Sequence, residues 1–335
     1  KKLPLFAGAF GIFGHGNVAC LGQALEENKK ELPTWRGHHE QNMALTGIAF
    51  SRAKRRKQIF VATSSVGPGS TNMLTAAAVA MSNRLPMLFL PGDTYANRMP
   101  DPVLQQVEHF NNPNITQNDA FKYVTRYFDR ITRPEQILQT FPQAIQTMID
   151  PADCGPACIS LSQDVQGETF DYPEEFFNEK IHAIRRPRPD DYQIKQAADL
   201  IKKSKNPIII SGGGIFYSDA MKELSQFAKK HNIPTAQTVM GYSTMKKDDP
   251  YFLGAIGGFG GKAPNDFMKK TDLAIAIGTK LADFTTGSWT NFENPNFKLV
   301  SINVSRFDAN KHMAQSIVGD AKVCIQDLTV ALGSW

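Results

Sequence analysis

Residues 59–72 read IFVATSSVGPGSTN, and this stretch carries the signal that decides the fold. Ile59 to Ser65 is a short, nearly continuous apolar run of the kind found in a parallel strand that is covered on both faces. The run ends in Gly67-Pro68-Gly69, a turn that leads into a helix predicted over 71–81. A strand that passes through a glycine turn into a helix is one unit of an alternating α/β sheet.

The same alternation continues on both sides of this stretch. Further strands are predicted at 86–90, 157–161, 206–211, 234–238, 272–277 and 298–304, and helices at 18–25, 41–54, 133–149, 193–202 and 218–231. Strands that alternate with helices predict mainly parallel sheets, so the predicted fold class is α/β with two tandem doubly wound domains. The irregular stretch 166–190 is predicted as a linker between a first domain at 1–165 and a second at 191–335.

Composition excludes several classes of protein. A chain of 335 residues with 41% hydrophobic and 21% charged residues is neither disordered nor a coiled coil. The net charge of +5 is spread along the chain. The basic runs at 54–57 and 185–188 lack the interleaved aromatic residues of a nucleic-acid surface, so no nucleic-acid partner is expected. No apolar run approaches the roughly 18 residues of a membrane span, so no membrane partner is expected either.

The four cysteines are Cys20, Cys154, Cys158 and Cys324. Their spacing fits neither a zinc site nor a disulfide framework. We therefore expect reduced thiols and a cytoplasmic protein.

Two local features could carry chemistry, although each has an ordinary explanation when taken alone. Glu40 precedes the helix predicted over 41–54, where the helix dipole favours any carboxylate. The glycine turns at 14–16, 67–69 and 212–214 could present backbone N–H groups to a ligand, but none completes a dinucleotide or Walker motif. The excursion at 95–118 is longer than most connections, and such loops are usually functional.

Taken together and in their order along the chain, these features are more specific for one protein family than any one of them alone. The set consists of Gly14-x-Gly16, His39-Glu40-Gln41, Gly67-Pro68-Gly69-Ser70-Thr71-Asn72, Pro91-Gly92-Asp93 and Gln105. It resembles the pyrimidine-binding domain of thiamine-diphosphate enzymes of the acetolactate synthase type. The second half of the chain, from residue 193 onward, resembles the central domain of the same family.

This resemblance implies a role for each matched residue. Glu40 matches the glutamate that hydrogen-bonds the aminopyrimidine ring of the cofactor. A carboxyl group in a dry pocket holds its proton more tightly, so it can share that proton with a ring nitrogen. His15 is the candidate substrate-side proton carrier, and the alternative is a histidine satisfied by backbone groups. The other implied cofactor contacts are Gly16, Pro68, Asn72 and Gln105.

The substrate class also follows from resemblance. Stretches 14–17, 101–106 and 127–136 are most similar to family members that act in inositol catabolism. Those members open the ring of a cyclic dione by carbon–carbon hydrolysis and release a deoxy-glucuronic acid. Two alternatives stay open, namely an acetolactate synthase-like carboligase or decarboxylase acting on 2-keto acids, and a nonenzymatic binding module.

The family also implies parts that the sequence does not match. Its members hold the diphosphate and Mg²⁺ with a third domain that carries Gly-Asp-Gly and Asn-Asn, and no such pairing occurs in this sequence. No metal ligand is therefore assigned, and we expect a fragment that also lacks a first strand and helix and depends on the third domain for catalysis. In the family the site lies between two subunits, which implies a homodimer or homotetramer.

Overall fold

The computed structural model describes residues 4–335. The chain falls into two compact units that divide between Ile184 and Arg185. Each unit contains one sheet of six strands, and all the strand pairs are parallel. The α/β class predicted from the alternation is confirmed. The division lies within the stretch 166–190, whose assignment as a linker stays a prediction.

The sheet of the first unit has the strand order β2-β1-β3-β4-β6-β5. Its strands are β1 (Phe6–Gly11), β2 (Thr34–Arg36), β3 (Ile59–Ser64), β4 (Leu88–Asp93), β5 (Tyr127–Ile131) and β6 (Ala157–Ser162). Its α-helices are α1 (Cys20–Glu27), α2 (Glu40–Ala53), α3 (Pro68–Thr71), α4 (Leu74–Asn83) and α5 (Ile137–Ile149). Short 3₁₀ helices lie at Gln117–Tyr123, Pro134–Gln136, Val165–Gly167 and Glu174–Phe177.

The single helix predicted over 71–81 is wrong in extent, because the structure forms two helices there. Pro68 occupies the first turn of α3, where its missing N–H costs nothing. The Met73 amide then donates to the Ser70 carbonyl three residues back at 3.0 Å. This tighter bond ends α3 and lets the chain restart as α4 at Leu74.

Strands β2 and β5 are the two edges of the first sheet, and the sequence did not predict either of them. Strand β2 has three residues, and none of them is buried. In β5 only Ile131 is buried. An edge strand that is half exposed lacks the continuous apolar run that marks a central strand.

Helix α2 approaches the first sheet closely enough to require a glycine. A Cβ atom at position 47 would lie 2.9 Å from the Phe60 Cβ and 2.9 Å from the Met87 terminal methyl. Phe60 also stacks on Phe10 with ring centroids 4.8 Å apart. This packing holds the start of α2, and therefore Glu40, near the sheet edge.

The sheet of the second unit has the order β12-β11-β10-β7-β8-β9. Its strands are β7 (Pro207–Ser211), β8 (Thr235–Gln237), β9 (Phe252–Ala255), β10 (Leu273–Ile277), β11 (Lys298–Asn303) and β12 (Gln315–Val318). Its α-helices are α6 (Asp191–Lys203), α7 (Gly213–Tyr217), α8 (Met221–Lys230), α9 (Lys262–Lys270), α10 (Asp283–Thr286), α11 (Arg306–Ala309) and α12 (Ala321–Leu332). Across residues 4–335, no helix combines the length and the apolar character needed to span a bilayer.

The Gly212-Gly213-Gly214 turn of the second unit serves close backbone packing. A Cβ atom at position 214 would lie 2.5 Å from the Gly278 Cα, and one at position 212 would lie 2.4 Å from the Gly278 carbonyl oxygen. The turns that follow β7 and β10 therefore touch backbone to backbone. This accords with the turn chemistry that the sequence favours at that position.

All four cysteines are free thiols. Cys154 and Cys158 lie in the turn before β6 and within it, as the sequence predicts. Burial raises the pKa of Cys154 and of Cys324, and raises that of Cys158 well above its ordinary value. Thiols that resist ionisation are poor nucleophiles, so these three are structural.

Packing beneath the end of the long excursion gives a first testable prediction. Phe121 is fully buried and its ring lies 5.7 Å from that of Phe89, whereas Tyr123 in the same 3₁₀ helix is 87% exposed. Phe121→Ala should lower the free energy of unfolding of the first unit by about 3–5 kcal/mol, because it leaves a cavity. Tyr123→Ala should change it by less than about 0.5 kcal/mol. Urea unfolding measures both, and equal losses would contradict this account of the core.

Candidate active site

The candidate site lies where the strand order of the first sheet reverses. From β1 the chain crosses to β2 at one edge and then returns to β3 on the other side of β1. Open α/β sheets bind ligands in the crevice outside the carboxyl ends of the strands at such a point. The glycine turns at 14–16 and 67–69 follow β1 and β3, so both border this crevice.

Two glycines allow the turns that follow β1 and end β4 to touch. A Cβ atom at position 92 would lie 2.6 Å from the Gly16 carbonyl carbon and oxygen, and one at position 16 would lie 3.2 Å from the Gly92 Cα. Gly16 also has φ +97°, which favours glycine. The predicted cofactor contact Gly16 is thus a buried backbone position at the crevice edge.

Asn17 holds this turn in place, a role that the sequence did not predict. Its side-chain oxygen accepts from the Gly14 amide at 3.0 Å, and its Nδ2 donates to Thr63 Oγ1 at 3.1 Å. Asn17 is almost fully buried. The sequence offers one signal for this role, which is a polar side chain directly after a glycine turn. It does not show the partner, because Thr63 on β3 lies 46 positions further along the chain.

Glu40 is the first residue of α2, and its carboxylate contacts the Gly-Pro-Gly turn. Asn72 Nδ2 donates to Glu40 Oε2 at 2.7 Å. A Cβ atom at position 69 would lie 3.4 Å from Glu40 Oε1 and 2.4 Å from Ser65 Oγ. The carboxylate is therefore half-buried between α2 and α3, at the amino-terminal end of α2 where the helix dipole favours negative charge.

The Gly-Pro-Gly turn also touches the long excursion. Gly67 has φ +71°, and a Cβ atom there would lie 1.9 Å from the Gln105 carbonyl oxygen. Pro68 follows as an exposed residue in the first turn of α3. Gln105 itself has φ +68°, so its backbone adopts an uncommon conformation where it meets the turn.

The structure brings together Glu40, Pro68, Asn72 and the backbone of Gln105, with Gly16 on the neighbouring turn. His15 lies on that same turn, and its carbonyl oxygen accepts from the Val66 amide at 2.9 Å. Its half-buried imidazole makes no hydrogen bond within residues 4–335. The roles predicted for these residues stay predictions.

An aminopyrimidine ring fits what the structure places around Glu40. Asn72 engages Oε2, whereas Oε1 accepts no hydrogen bond within residues 4–335. A half-buried carboxyl oxygen that is not yet engaged can make one hydrogen bond to a flat heterocycle. Residues 4–335 contain no group of three or more His, Cys, Asp or Glu side chains that could hold a metal ion.

Comparison with known proteins agrees with this geometry. Residues 7–113 match the thiamine pyrophosphate enzyme N-terminal TPP binding domain, and residues 194–328 match the thiamine pyrophosphate enzyme central domain. Benzoylformate decarboxylase from Polynucleobacter necessarius has a similar structure, with a TM-score of 0.80 over 97% of this chain and 58% of that one. At 19% identity this similarity concerns the fold alone.

Curated relatives are more similar in sequence. The chain is 49% identical over 332 residues to the 3D-(3,5/4)-trihydroxycyclohexane-1,2-dione hydrolase of Clostridium perfringens (strain 13 / Type A). It is 48% identical over 322 residues to the 3D-(3,5/4)-trihydroxycyclohexane-1,2-dione hydrolase of Bacillus cereus (strain AH820). These alignments cover 99% and 96% of this chain but 52% and 50% of the relatives. The chain thus spans about half the length of the relatives it matches.

The contact between Gly67 and Gln105 gives a second prediction. Gly67→Ala should strain the turn by about 1–2 kcal/mol and displace the Gln105 backbone. Trypsin should then cleave faster after Arg98, an exposed residue of the excursion. Gly167→Ala is the control, because a Cβ atom there would meet only Cys20 Sγ at 3.6 Å. Equal cleavage rates in the two variants would contradict the contact.

Proposed function

Because the chain belongs to the thiamine pyrophosphate enzymes and contains their N-terminal and central domains, we propose that it forms part of a trihydroxycyclohexane-1,2-dione hydrolase. The proposed reaction adds one water across a carbon–carbon bond of the cyclic dione and releases an open-chain deoxy-glucuronic acid. Relatives at 48–49% identity carry that name, which supports a hydrolase over a carboligase or a nonenzymatic module. The observation that carries the proposal is the Glu40 carboxylate held against the Gly-Pro-Gly turn.

We propose that this chain holds the pyrimidine half of the cofactor. Glu40 would bind it through Oε1, while Asn72 keeps the other carboxyl oxygen occupied and fixes the side-chain orientation. The remaining proposed contacts are Gly16, Pro68 and Gln105. When bound, thiamine diphosphate supplies the carbon nucleophile and the electron sink that carbon–carbon cleavage requires.

The protein's own part is to move protons and to position groups. Glu40 would hold a proton at Oε1 and exchange it with the ring, since a carboxyl group can act as either acid or base. His15 lies on the adjacent turn, and its imidazole is not engaged by another group of residues 4–335. We propose that His15 transfers a proton on the substrate side, because imidazole both donates and accepts protons.

We also propose that Mg²⁺ and the diphosphate are bound by residues outside this chain. The match to only about half the length of each relative supports this. Mg²⁺ prefers oxygen ligands in octahedral geometry, usually carboxylates combined with phosphate oxygens and water. The cofactor would then span two parts of the intact enzyme.

A homodimer or homotetramer is proposed for the intact enzyme. The excursion that carries Gln105 exposes several large apolar side chains, namely Met99, Leu104 and Phe110. Large apolar side chains left exposed on a loop suit a surface that another chain covers. The four free thiols support a cytoplasmic location, where cysteines stay reduced.

The substrate gives a third prediction. The full-length enzyme that contains this chain, supplied with thiamine diphosphate and Mg²⁺, should hydrolyse trihydroxycyclohexane-1,2-dione and should not condense pyruvate. Chromatography of the products distinguishes the two reactions. Turnover of pyruvate without turnover of the dione would replace the hydrolase with a carboligase.

Glu40 gives a fourth prediction. In the same enzyme Glu40→Gln should lower kcat by about 10²–10⁴-fold, the usual contribution of a general acid–base group. The amide keeps the shape of the side chain, so the fold should persist, as circular dichroism would test. Glu31→Gln is the matched control, because Glu31 is an exposed carboxylate of the same unit. If Glu40→Gln kept most of its activity, Glu40 would not be the proton carrier.

A further inference from the structure

In the structure the long excursion predicted at 95–118 runs from residue 94, after β4, to residue 116, before the 3₁₀ helix Gln117–Tyr123. One carboxylate anchors it at both ends. Asp93 ends β4, and its side chain is fully buried. At the start of the excursion, its Oδ1 accepts from the Thr94 amide at 2.8 Å. At the far end, its Oδ2 accepts from Thr116 Oγ1 at 3.1 Å. The loop is therefore closed at its base by Asp93.

Arg130 on β5 holds this carboxylate and the far end of the excursion together. Its Nε donates to Asp93 Oδ2 at 2.8 Å. Its Nη2 donates to Thr116 Oγ1 at 2.8 Å and to Asp119 Oδ2 at 2.9 Å. One guanidinium thus contacts Asp93, which precedes the excursion, and Thr116 and Asp119, which lie at its far end. Arginine suits this role because its guanidinium carries several donors in a fixed geometry.

The strand order makes this arrangement possible. Strand β6 lies between β4 and β5, and Ser160 on β6 pairs in register with Arg130. Ser160 Oγ donates to Asp93 Oδ2 at 2.5 Å and accepts from Asn118 Nδ2 at 2.8 Å. The polar groups therefore form a continuous network across the ends of three strands. We call this network, formed by Asp93, Thr116, Asp119, Arg130 and Ser160, the base clamp.

The base clamp places charges where water has little access, so each charge depends on its partners. Burial alone would raise the pKa of Asp119, but hydrogen bonds from Arg130 and Lys122 outweigh it and lower that pKa. Burial alone would lower the pKa of Arg130, but the charges of Asp93 and Asp119 outweigh it and raise that pKa. The ionised forms are thus the stable ones.

The excursion carries Gln105 to the candidate site. The loop is shaped locally by Gln106, whose Oε1 accepts from the Val103 amide at 2.9 Å and whose Nε2 donates to Asp101 Oδ1 at 2.6 Å. These local contacts define the shape of the loop tip but not its position on the sheet. The base clamp contributes to that position by fixing where both ends of the loop leave the sheet, and Asp164 adds a contact near the first end by accepting from the Ala96 and Asn97 amides at 2.9 and 3.1 Å.

We propose that Arg130 is a positioning residue for the reaction, which acts by fixing the base of the 94–116 excursion so that Gln105 meets the Gly-Pro-Gly turn. Arg130 itself does not touch the candidate cofactor contacts; it acts through Asp93 and Thr116. The expected effect of Arg130 on catalysis rests on the proposed function, whereas its expected effect on the order of the 94–116 excursion does not.

Arg130→Gln in the full-length enzyme gives the fifth prediction. Amide hydrogen exchange across residues 94–116 should become at least about tenfold faster, because the loop loses one of its anchors. Exchange in β3 and β4 should change much less. Arg133→Gln is the matched control: Arg133 is three residues further on and forms an exposed pair with Glu135. The hydrogen-exchange pattern of the Arg133→Gln variant should match that of the wild type.

Kinetics separate positioning from a general loss of structure. In Arg130→Gln, kcat with the dione should fall by about tenfold or more, because misplacement of a group near the reacting centre is costly. The dissociation constant of thiamine diphosphate should rise by a smaller factor than kcat falls, because Gln105 is one proposed cofactor contact of several and Glu40 and Asn72 are not part of the base clamp. Arg130→Lys should restore activity only in part, since an ammonium cannot reproduce the fork of the guanidinium.

Three results would overturn the proposal. The first is loop exchange in Arg130→Gln that equals exchange in Arg133→Gln. The second is faster loop exchange with unchanged kcat, and the third is a fall in kcat without faster exchange.

If Arg130→Gln does not fold, Thr116→Val tests the same link, because it removes the hydroxyl that meets both Asp93 and Arg130 and keeps the side-chain shape. A wild-type enzyme inactive on the dione would refute the proposed function alone, and loop exchange would still decide whether the base clamp exists.

Discussion

The candidate site depends on close approach between backbone segments at the carboxyl edge of the first sheet. Gly16 meets Gly92, Gly67 meets the backbone of Gln105, and Gly69 leaves room for the Ser65 hydroxyl. At each of these points a side chain would occupy space that backbone or this hydroxyl now fills. Positive φ angles at positions 16 and 67 add a second reason for glycine. The crevice therefore owes its shape to the absence of side chains.

Around this glycine-lined crevice, hydrogen bonds fix the orientation of side chains and turns, which close packing alone does not do. Asn72 orients the Glu40 carboxylate and Asn17 holds the turn after β1. At the other end of the site, Asp93 and Arg130 anchor the excursion. Buried polar groups of this kind rigidify a structure when all members are satisfied. Functional groups need that rigidity, since small errors in position are costly for catalysis.

The two units share the α/β class but differ in strand order, and they use the point where that order reverses differently. In each, the strand order reverses beside a glycine turn. In the second unit the turns after β7 and β10 pack backbone against backbone, as the contact between Gly214 and Gly278 shows. In the first unit the corresponding edge is bordered by a carboxylate and by a long loop. A shared fold class therefore does not imply a shared role, and the function has to be argued from the side chains at each edge.

The sequence by itself determined the central strands and the fold class, because buried parallel strands such as β3 and β10 appear as continuous apolar runs. It also singled out Glu40 and the Gly-Pro-Gly turn, because their order along the chain resembles a known family. Only the tertiary structure decided the edge strands, the break between α3 and α4, and the partnership of Asp93 with Arg130. Those features depend on which strands become neighbours: 37 positions separate Asp93 from Arg130 in the chain, and the placement of β6 between β4 and β5 brings them together. Local patterns report how one segment is covered, whereas a long-range polar pair exists only after the sheet has assembled.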